Sequence, residues 1–477
     1  MKPKVLIYHC WDYDIVRIAE IISTGMDELG VRPRGRTMVK PNAVLAHPHY
    51  FRHAFTRSEF LDGLLAALLE RGAEITDLSV GERSGPSVPT RYTFAEAGYG
   101  PVLRRYRARA IYFDEVPQVE VPLTRPEALR QAVLIPEPLM RCDFLVNAPK
   151  LKAHPWTMFT AALANYTGLQ DDAPRLLDHQ HLHHKIADLQ DVIAPGLVIV
   201  DAIVAGQDTM MTPAPRHLNL IILGINPVAV DVVCAHLLGL DPAQVDYLRL
   251  CAERGLGPLD IADIELGGDL TLVEAQQRAI GFRLALHRAD KLFDRGARIR
   301  AFSGPPGDPA IGAYCWSGCP GTLYEATEIV RQFQPGVYQQ VRPIHFVFGN
   351  YTGSLPETED APLVLVGDCA QFCGKVNGSQ VDVASVYRPR TDTSQHLRPR
   401  PNLLRDIARV LRALWRGRGQ PAVILRGCPV GVSEMALMLA FLGRVKNPYF
   451  SPNIAPKFMF YYLISKIIRA VRRVGAA

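Results

Sequence analysis

Five of the nine cysteines fall in three short segments whose composition suits a metal centre. The first is Cys315-Trp-Ser-Gly-Cys319-Pro320, and the second is Gly367-Asp-Cys369-Ala-Gln-Phe-Cys373-Gly374. The third is Gly427-Cys428-Pro429. A [4Fe–4S] cluster takes four thiolates, and ligand cysteines followed by proline occur in ferredoxin-type sites. Cys319 and Cys428 both have that form. Zinc ribbons favour C-x2-C knuckles, whereas the pairs here are C-x3-C. The preferred reading is an iron–sulfur cluster, with zinc as the alternative and thiols without metal as a third. Cys315, Cys319, Cys369, Cys373 and Cys428 are thus five candidates for four places. Cys10, Cys142, Cys234 and Cys251 stand singly among apolar neighbours and read as buried small hydrophobes.

A second set of polar residues lies earlier in the chain. Val39-Lys40-Pro41-Asn42 and Asn147-Ala-Pro149-Lys150-Leu-Lys152-Ala-His154 place lysines at or just beyond short apolar runs. Lysine there is a point charge with three donors, suited to a carboxylate or phosphate. Asp201 ends another apolar run, and Asp231 opens a helical pattern. Lys150, Lys152, His154 and Asp201 are expected to move protons, and Lys40, Asn42, Asn147 and Asp231 to bind a ligand. The same residues read equally as a surface salt-bridge network. Asp178-His-Gln-His181-Leu-His183-His184 is dense in histidine but lacks the spacing of a known metal site, and reads as solvated helix surface. Dinucleotide, P-loop, zincin and serine-hydrolase motifs are absent.

The elements that must position these residues alternate between strand and helix. Val5–Tyr8, Ile75–Val80, Phe144–Val146, Leu197–Val200 and Leu218–Leu223 are apolar runs of strand length. Ile15 to Leu29 repeats at helical spacing and stops at Gly30. Thr56 and Glu59 form a capping-box pair before Phe60–Leu69. Pro227–Leu238 reads as a helix opened by proline. Val273 to Phe293 reads as one charged linking helix. Beyond the break at Gly304-Pro305-Pro306-Gly307, Ile344–Phe348, Leu363–Val366 and Val423–Leu425 are strands, with helices at Leu323–Phe333, Leu403–Leu414 and Ser433–Leu442. Residues 384–402 are expected to be an exposed loop. The fold class is therefore α/β, with two domains of mainly parallel sheet and a C-terminal amphipathic helix. The expected divisions are 1–270, a helical linker 271–300, a cysteine-bearing domain 301–445 and a basic tail 446–477. In an open parallel sheet the strand C-terminal ends share one edge, so Cys369 and Cys428 should meet there.

Bulk composition narrows the function classes. The chain has 477 residues, 48% of them hydrophobic and 21% charged, as in globular proteins. A net charge of +6 from 53 basic and 47 acidic residues gives no ground for nucleic-acid binding. The N-terminus reads as a strand, no stretch is long and apolar enough to span a membrane, and the cysteines lack the density of a secreted scaffold. The segment Lys457–Val474 reads first as a C-terminal helix packed on its own domain with a solvated basic end. A cytoplasmic location is expected, peripheral to the membrane if that helix instead lies on a bilayer or docks on an acidic partner.

The earlier half also resembles the domain of unknown function family numbered 362. The resemblance rests on Val39-Lys40-Pro41-Asn42, Gly72-Ala73 leading to Val80-Gly81-Glu82, the Asp143 to His154 segment, and Asn165-Tyr-Thr-Gly168. It continues through Val200-Asp201-Ala202, Asn226-Pro-Val-Ala-Val-Asp231 and Gly255-Leu-Gly257. It implies an α/β domain over about residues 1–270, in a family whose members often carry iron–sulfur modules, and adds Asn165 to the binding residues. Ala164 stands where the family usually has lysine, and the family's C-x2-C-x2-C insert is absent. The strand-end cysteines of the second half are similar in order to those of the cluster-bearing subunits of complex I and nickel–iron hydrogenases.

The function read from these residues is an iron–sulfur oxidoreductase. It would pass single electrons, drawn from a donor protein, to an anionic small molecule held between the domains by Lys40, Lys150, Lys152 and His154. The alternatives are a non-catalytic metal-dependent scaffold, cluster carrier or assembly factor, and a non-redox enzyme with structural zinc.

Overall fold

The computed structural model describes residues 2–47, 49–176, 179–285, 287–293, 298–356, 361–376, 378–384, 403–447 and 451–474. The expected exposed loop lies outside these residues from 385 to 402. The chain divides into two units. The first takes residues 1–171, 183–285 and 459–477, and the second takes 172–182 and 286–458.

The first unit is built on one large sheet. Its strands lie side by side in the order Glu265–Gly268, Lys4–His9, Ala214–Gly224, Leu197–Gln207, Phe144–Ala148, Arg34–Pro41, Glu74–Glu82 and Arg109–Tyr112. Along this order only Ala214–Gly224 runs antiparallel to its neighbours. The inner strands are buried on both faces, which explains their continuous apolar runs. Each fully buried Val, Leu or Ile there contributes about 1.5–3 kcal/mol. The helix Ile15–Leu29 buries Ile18, Ile21, Ile22 and Met26, is capped by Asp14 and ends at Gly30. The fold is α/β, as the alternating pattern predicts.

Thr56 and Glu59 do not form a capping box. The helix Ser58–Arg71 follows Arg57, which supplies no side-chain cap. The Thr56 hydroxyl instead accepts from the Asn42 N–H at 3.0 Å and donates to the Ala148 carbonyl at 2.8 Å. A long-range pairing has taken the local capping group.

The second unit has a smaller sheet. Ile299–Ser303, Ile344–Thr352, Leu363–Val376 and Val423–Leu425 run parallel, and Ser379–Ala384 pairs antiparallel with the far half of Leu363–Val376. The helices Cys319–Phe333 and Val432–Gly443 pack together over the core of this unit. The linking helix is two short ones, Leu272–Ala279 and Ala289–Leu292, parted by Gly281 at φ +78°. The tail is a helix, Ala455–Val474, whose residues from 459 onward belong to the first unit. Among the described residues no helix is long and apolar enough to cross a membrane.

Candidate functional site

Two polar centres result, one in each unit. In the first, strand register does the assembly. Lys40 lies opposite Asn147, and Lys150 opposite Asp201. Lys40 is wholly buried, with its Nζ 2.8 Å from Glu82 Oε2 and 3.2 Å from Asn165 Oδ1. Asn165 also accepts from Asn42 Nδ2 at 3.0 Å and donates to Asn147 Oδ1 at 2.8 Å. Asn147 in turn donates to the Ala162 carbonyl at 2.8 Å. Gly168 is required where it stands: a Cβ there would lie 2.3 Å from Glu82 Oε1 and 2.9 Å from Lys40 Nζ.

Lys150 belongs to a neighbouring cluster. Its Nζ lies 3.0 Å from Asp201 Oδ1 and donates to the Tyr13 hydroxyl at 2.7 Å, which donates to the same carboxylate at 2.9 Å. Burial holds the Lys150 ammonium below the usual lysine range, and Asp201 opposes that fall. Burial likewise takes His53 down to about 4, with the nearby Lys150 charge adding to it. Asp231 accepts from the Ala162 and Leu163 N–H groups at 2.6 and 3.1 Å. Burial still pushes its carboxyl up to about 7.

The lysines do not form one anion cradle. Lys40 answers Glu82 and Lys150 answers Asp201, while Lys152 donates to the Ala54 carbonyl at 2.5 Å. His154 Nδ1 accepts from the backbone N–H groups of Trp156 and Thr157, both at 3.2 Å. Nor is the network at the surface, since Lys40, Lys150, Lys152, Asn147, Asn165, Asp201 and Asp231 are all buried. Glu82 and Tyr13 are the members that sequence reasoning missed. Glu82 stood in the motif Val80-Gly81-Glu82 quoted for the family resemblance, and its place just beyond the apolar run Ile75–Val80, like that of Asp201 after Leu197–Val200, was the signal that could have found it.

The second centre lies at the carboxyl edge of the smaller sheet. A cavity of about 40 Å³ is lined by Cys315, Cys319, Cys369 and Cys428. Ser303, Phe348 and Val366, from the ends of three parallel stretches, line it too. Cys319 is the first residue of its helix, followed by Pro320, where helix N-terminal N–H groups favour a thiolate. Cys369 follows Gly367, in the irregular stretch between the pairings Phe348↔Val366 and Asn350↔Gln371. Gly367 has φ +103°, and a Cβ there would lie 3.2 Å from Cys319 Sγ and 3.9 Å from Cys369 Sγ. The Asp368 N–H donates to the Gly427 carbonyl at 3.0 Å, and the Gly427 N–H to Asp368 Oδ1 at 3.0 Å. Two of the three cysteine segments are thereby tied together.

Cys373 does not line the cavity. The strand carrying Cys369 resumes pairing at Gln371 and continues into a hairpin with Ser379–Ala384, leaving Cys373 exposed. Four residues of extended chain span about 13 Å, beyond the reach of one centre.

No carboxylate, lysine or arginine is among the lining residues. Burial pushes the Cys315 thiol up to about 12, and the neighbouring Cys428 and Cys369 push the same way. Cys319 is raised well above the usual thiol range, first by burial and then by Cys369, against the Val430 N–H that donates to its Sγ at 3.3 Å.

The histidine-dense segment is not solvated helix surface over its described part. His179 is buried and its Nδ1 donates to the Ser317 carbonyl at 2.5 Å, inside the first cysteine segment. Gln180 lines the cavity and accepts from Cys428 Sγ at 3.5 Å. Residues 179–181 form a short 3-10 turn of the second unit, whereas His183 is half-buried in the first, stacked on Tyr247. Asp178 lies outside the described residues.

A single tetrahedral ion, 2.3 Å from each sulfur, would draw its ligands to within about 3.8 Å of one another. Among the described residues no three His, Cys, Asp or Glu side chains gather as a single ion requires. The four cysteines line one cavity, Cys319 buried and Cys315, Cys369 and Cys428 half-buried, and in number and chemistry they fit the four thiolates that an iron–sulfur cluster takes.

Residues 37–236 match the family described as "Domain of unknown function (DUF362)". This stretch is a DUF362 domain. It contains Lys40, Glu82, Asn147, Lys150, Asn165, Asp201 and Asp231, so the whole buried network apart from Tyr13 falls within it. The chain is also similar to the "Thylakoid-associated protein sll1697" of Synechocystis, 25% identical over 276 residues that cover 54% of this chain and 81% of that one. Two solved structures are more loosely similar. One, from Thermotoga maritima, is 10% identical at a TM-score of 0.33, over 92% of this chain and 84% of the other. The second, a lactate racemase apoprotein from Thermoanaerobacterium thermosaccharolyticum, is 9% identical at 0.31, over 73% and 69%. Likenesses at that level carry no argument about this chain.

Proposed function

We propose that the protein is an iron–sulfur oxidoreductase in which Cys315, Cys319, Cys369 and Cys428 hold a [4Fe–4S] cluster. One observation carries this reading: four thiols from three separated segments line one cavity that holds no compensating charge. When bound there, such a cluster supplies one electron at a time. The chain's own residues set its surroundings. The Val430 N–H lies toward Cys319 Sγ, and hydrogen bonds to sulfur are among the levers on a cluster's potential. Asp368 and Gly427 hold two ligand loops in register, His179 bonds the remaining segment at Ser317, and Gln180 meets Cys428. In the first unit, Lys150 Nζ and the Tyr13 hydroxyl would hold a proton beside Asp201, away from bulk water. The substrate is then a small molecule that takes up an electron and a proton, the electron coming from a reduced carrier protein.

The closed charge pairing of the DUF362 domain favours a second reading, in which that domain is structural and the protein carries its cluster without turnover. The two readings share the cluster and differ in Lys150. Anaerobic reconstitution with iron and sulfide, followed by absorption and electron paramagnetic resonance before and after dithionite, tests the cluster. A brown band that bleaches is expected, and a colourless zinc-loaded protein would contradict it. Lys150→Met in a reconstituted, substrate-reducing protein should abolish turnover and leave the spectrum unchanged. Full turnover in that variant would favour the carrier.

A further inference from the structure

The helix Ala455–Val474 packs one face and leaves the opposite one apolar and exposed. One face is taken up by the first unit. Tyr462 and Ser465 are buried, the Ser465 hydroxyl donates to Glu115 Oε1 at 2.6 Å, and Arg469 is paired with Asp114. The other face carries Phe460, Leu463, Ile467 and Val471, which are 59, 53, 62 and 66% exposed. These positions are three or four residues apart and so form a single stripe along the helix. A surface helix ordinarily turns polar residues outward once its apolar side is packed. Here the outward side is the apolar one.

Charge selects the occupant. The sequence 455–474 contains five basic residues, Lys457, Lys466, Arg469, Arg472 and Arg473, and no acidic one. Lys466 is exposed and its Nζ lies over the Tyr462 ring, 5.2 Å from the centroid. Long basic side chains beside an apolar stripe reach to a charged surface while their stems cover apolar area. An outward stripe of Phe, Leu, Ile and Val on a helix whose charged residues are all basic is the composition of a helix lying in the headgroup region of an anionic bilayer.

We infer that Ala455–Val474 is a membrane-interface helix, bound to the first unit through Ser465 and Arg469 and to anionic lipid through Phe460, Leu463, Ile467 and Val471. It lies in the plane of the interface and does not span it. This inference is independent of the cluster.

The test is flotation of the full chain with vesicles of phosphatidylcholine alone and of phosphatidylcholine mixed with phosphatidylglycerol. The chain should float with the mixed vesicles and far less with the neutral ones, and added salt should weaken binding. Leu463→Ser with Ile467→Ser should lower partitioning at least about tenfold, because two apolar side chains leave the interface. Both side chains are exposed, so the melting temperature of this variant should match the parent's, which separates lost binding from lost fold. Parent and variant floating equally would overturn the inference. So would a parent that binds no vesicles, or one that is a dimer in solution and becomes a monomer in the variant, which would assign the stripe to a second copy.

Discussion

The two units bury polar groups in opposite ways. In the DUF362 domain two buried lysines meet carboxylates, Lys40 with Glu82 and Lys150 with Asp201, and the amides of Asn42, Asn147 and Asn165 link the first pair to the backbone. In the second unit four thiols face one cavity, and the charge that would make thiolates tolerable there is not supplied by the chain. The first centre is closed by its own ion pairs. The second gathers soft sulfur donors whose thiols are held above their ordinary range by burial and by one another, so a cofactor that takes thiolates would be bound there in exchange for their protons.

That contrast can be broken from the first side. Lys40→Met leaves the Glu82 carboxylate buried without its partner and should destabilise the fold by about 3–5 kcal/mol. The double variant Lys40→Met with Glu82→Gln should recover a large part of the loss, read from urea unfolding. A single variant as stable as the parent would show that the pair is not balanced as described.

Acidity gives the next effect. The Asp231 carboxyl is pushed up to about 7 in the folded chain by burial. Between its ordinary value near 4 and about 7 it is protonated when folded and ionised when unfolded. Its contribution is therefore present at low pH and is lost as pH rises through that window, at most about 1.4 kcal/mol per pH unit. Asp231→Asn should flatten the fall, measured by denaturant unfolding at several pH values. An unchanged slope would remove Asp231 as its source.

Gly168→Ala comes third. Its Cβ would press on Glu82 and Lys40, so a loss of about 1–3 kcal/mol is expected in the same unfolding measurement. A neutral substitution would mean that the pair can shift to make room. The smallest effect belongs to the second unit: in metal-free protein, Cys315→Ala should cost only about 1 kcal/mol, because one small buried group replaces another. A much larger loss would mean that the thiols are structural in their own right.

Much of this was legible in the residues. Apolar runs located the inner strands because both faces of those strands are buried, and runs of that kind need no tertiary information to read. The glycines and prolines beside Cys319, Cys369 and Cys428 marked strand ends and a helix start, and parallel topology brings those points to one edge. What failed depended on distant partners. Thr56 has the type and spacing of a helix cap, but Asn42 and Ala148 compete for its hydroxyl and win. Cys373 has the spacing of a ligand, but the strand recovers its pairing after Cys369 and carries Cys373 away. His179 and Gln180 reach the cavity from more than a hundred residues upstream, and nothing local to them signals it. The lysines were noticed for their charge, whereas Glu82, the carboxylate answering Lys40, was named only within the family motif Val80-Gly81-Glu82 and given no role.

The most direct measurement is iron and acid-labile sulfide per chain after anaerobic reconstitution, compared across Cys315→Ser, Cys319→Ser, Cys369→Ser, Cys428→Ser and Cys373→Ser. The expected result is about four of each in the parent and in Cys373→Ser, with a large loss in the other four variants. Iron retained in full by Cys369→Ser and Cys428→Ser, or lost in Cys373→Ser alone, would contradict a cluster in this cavity.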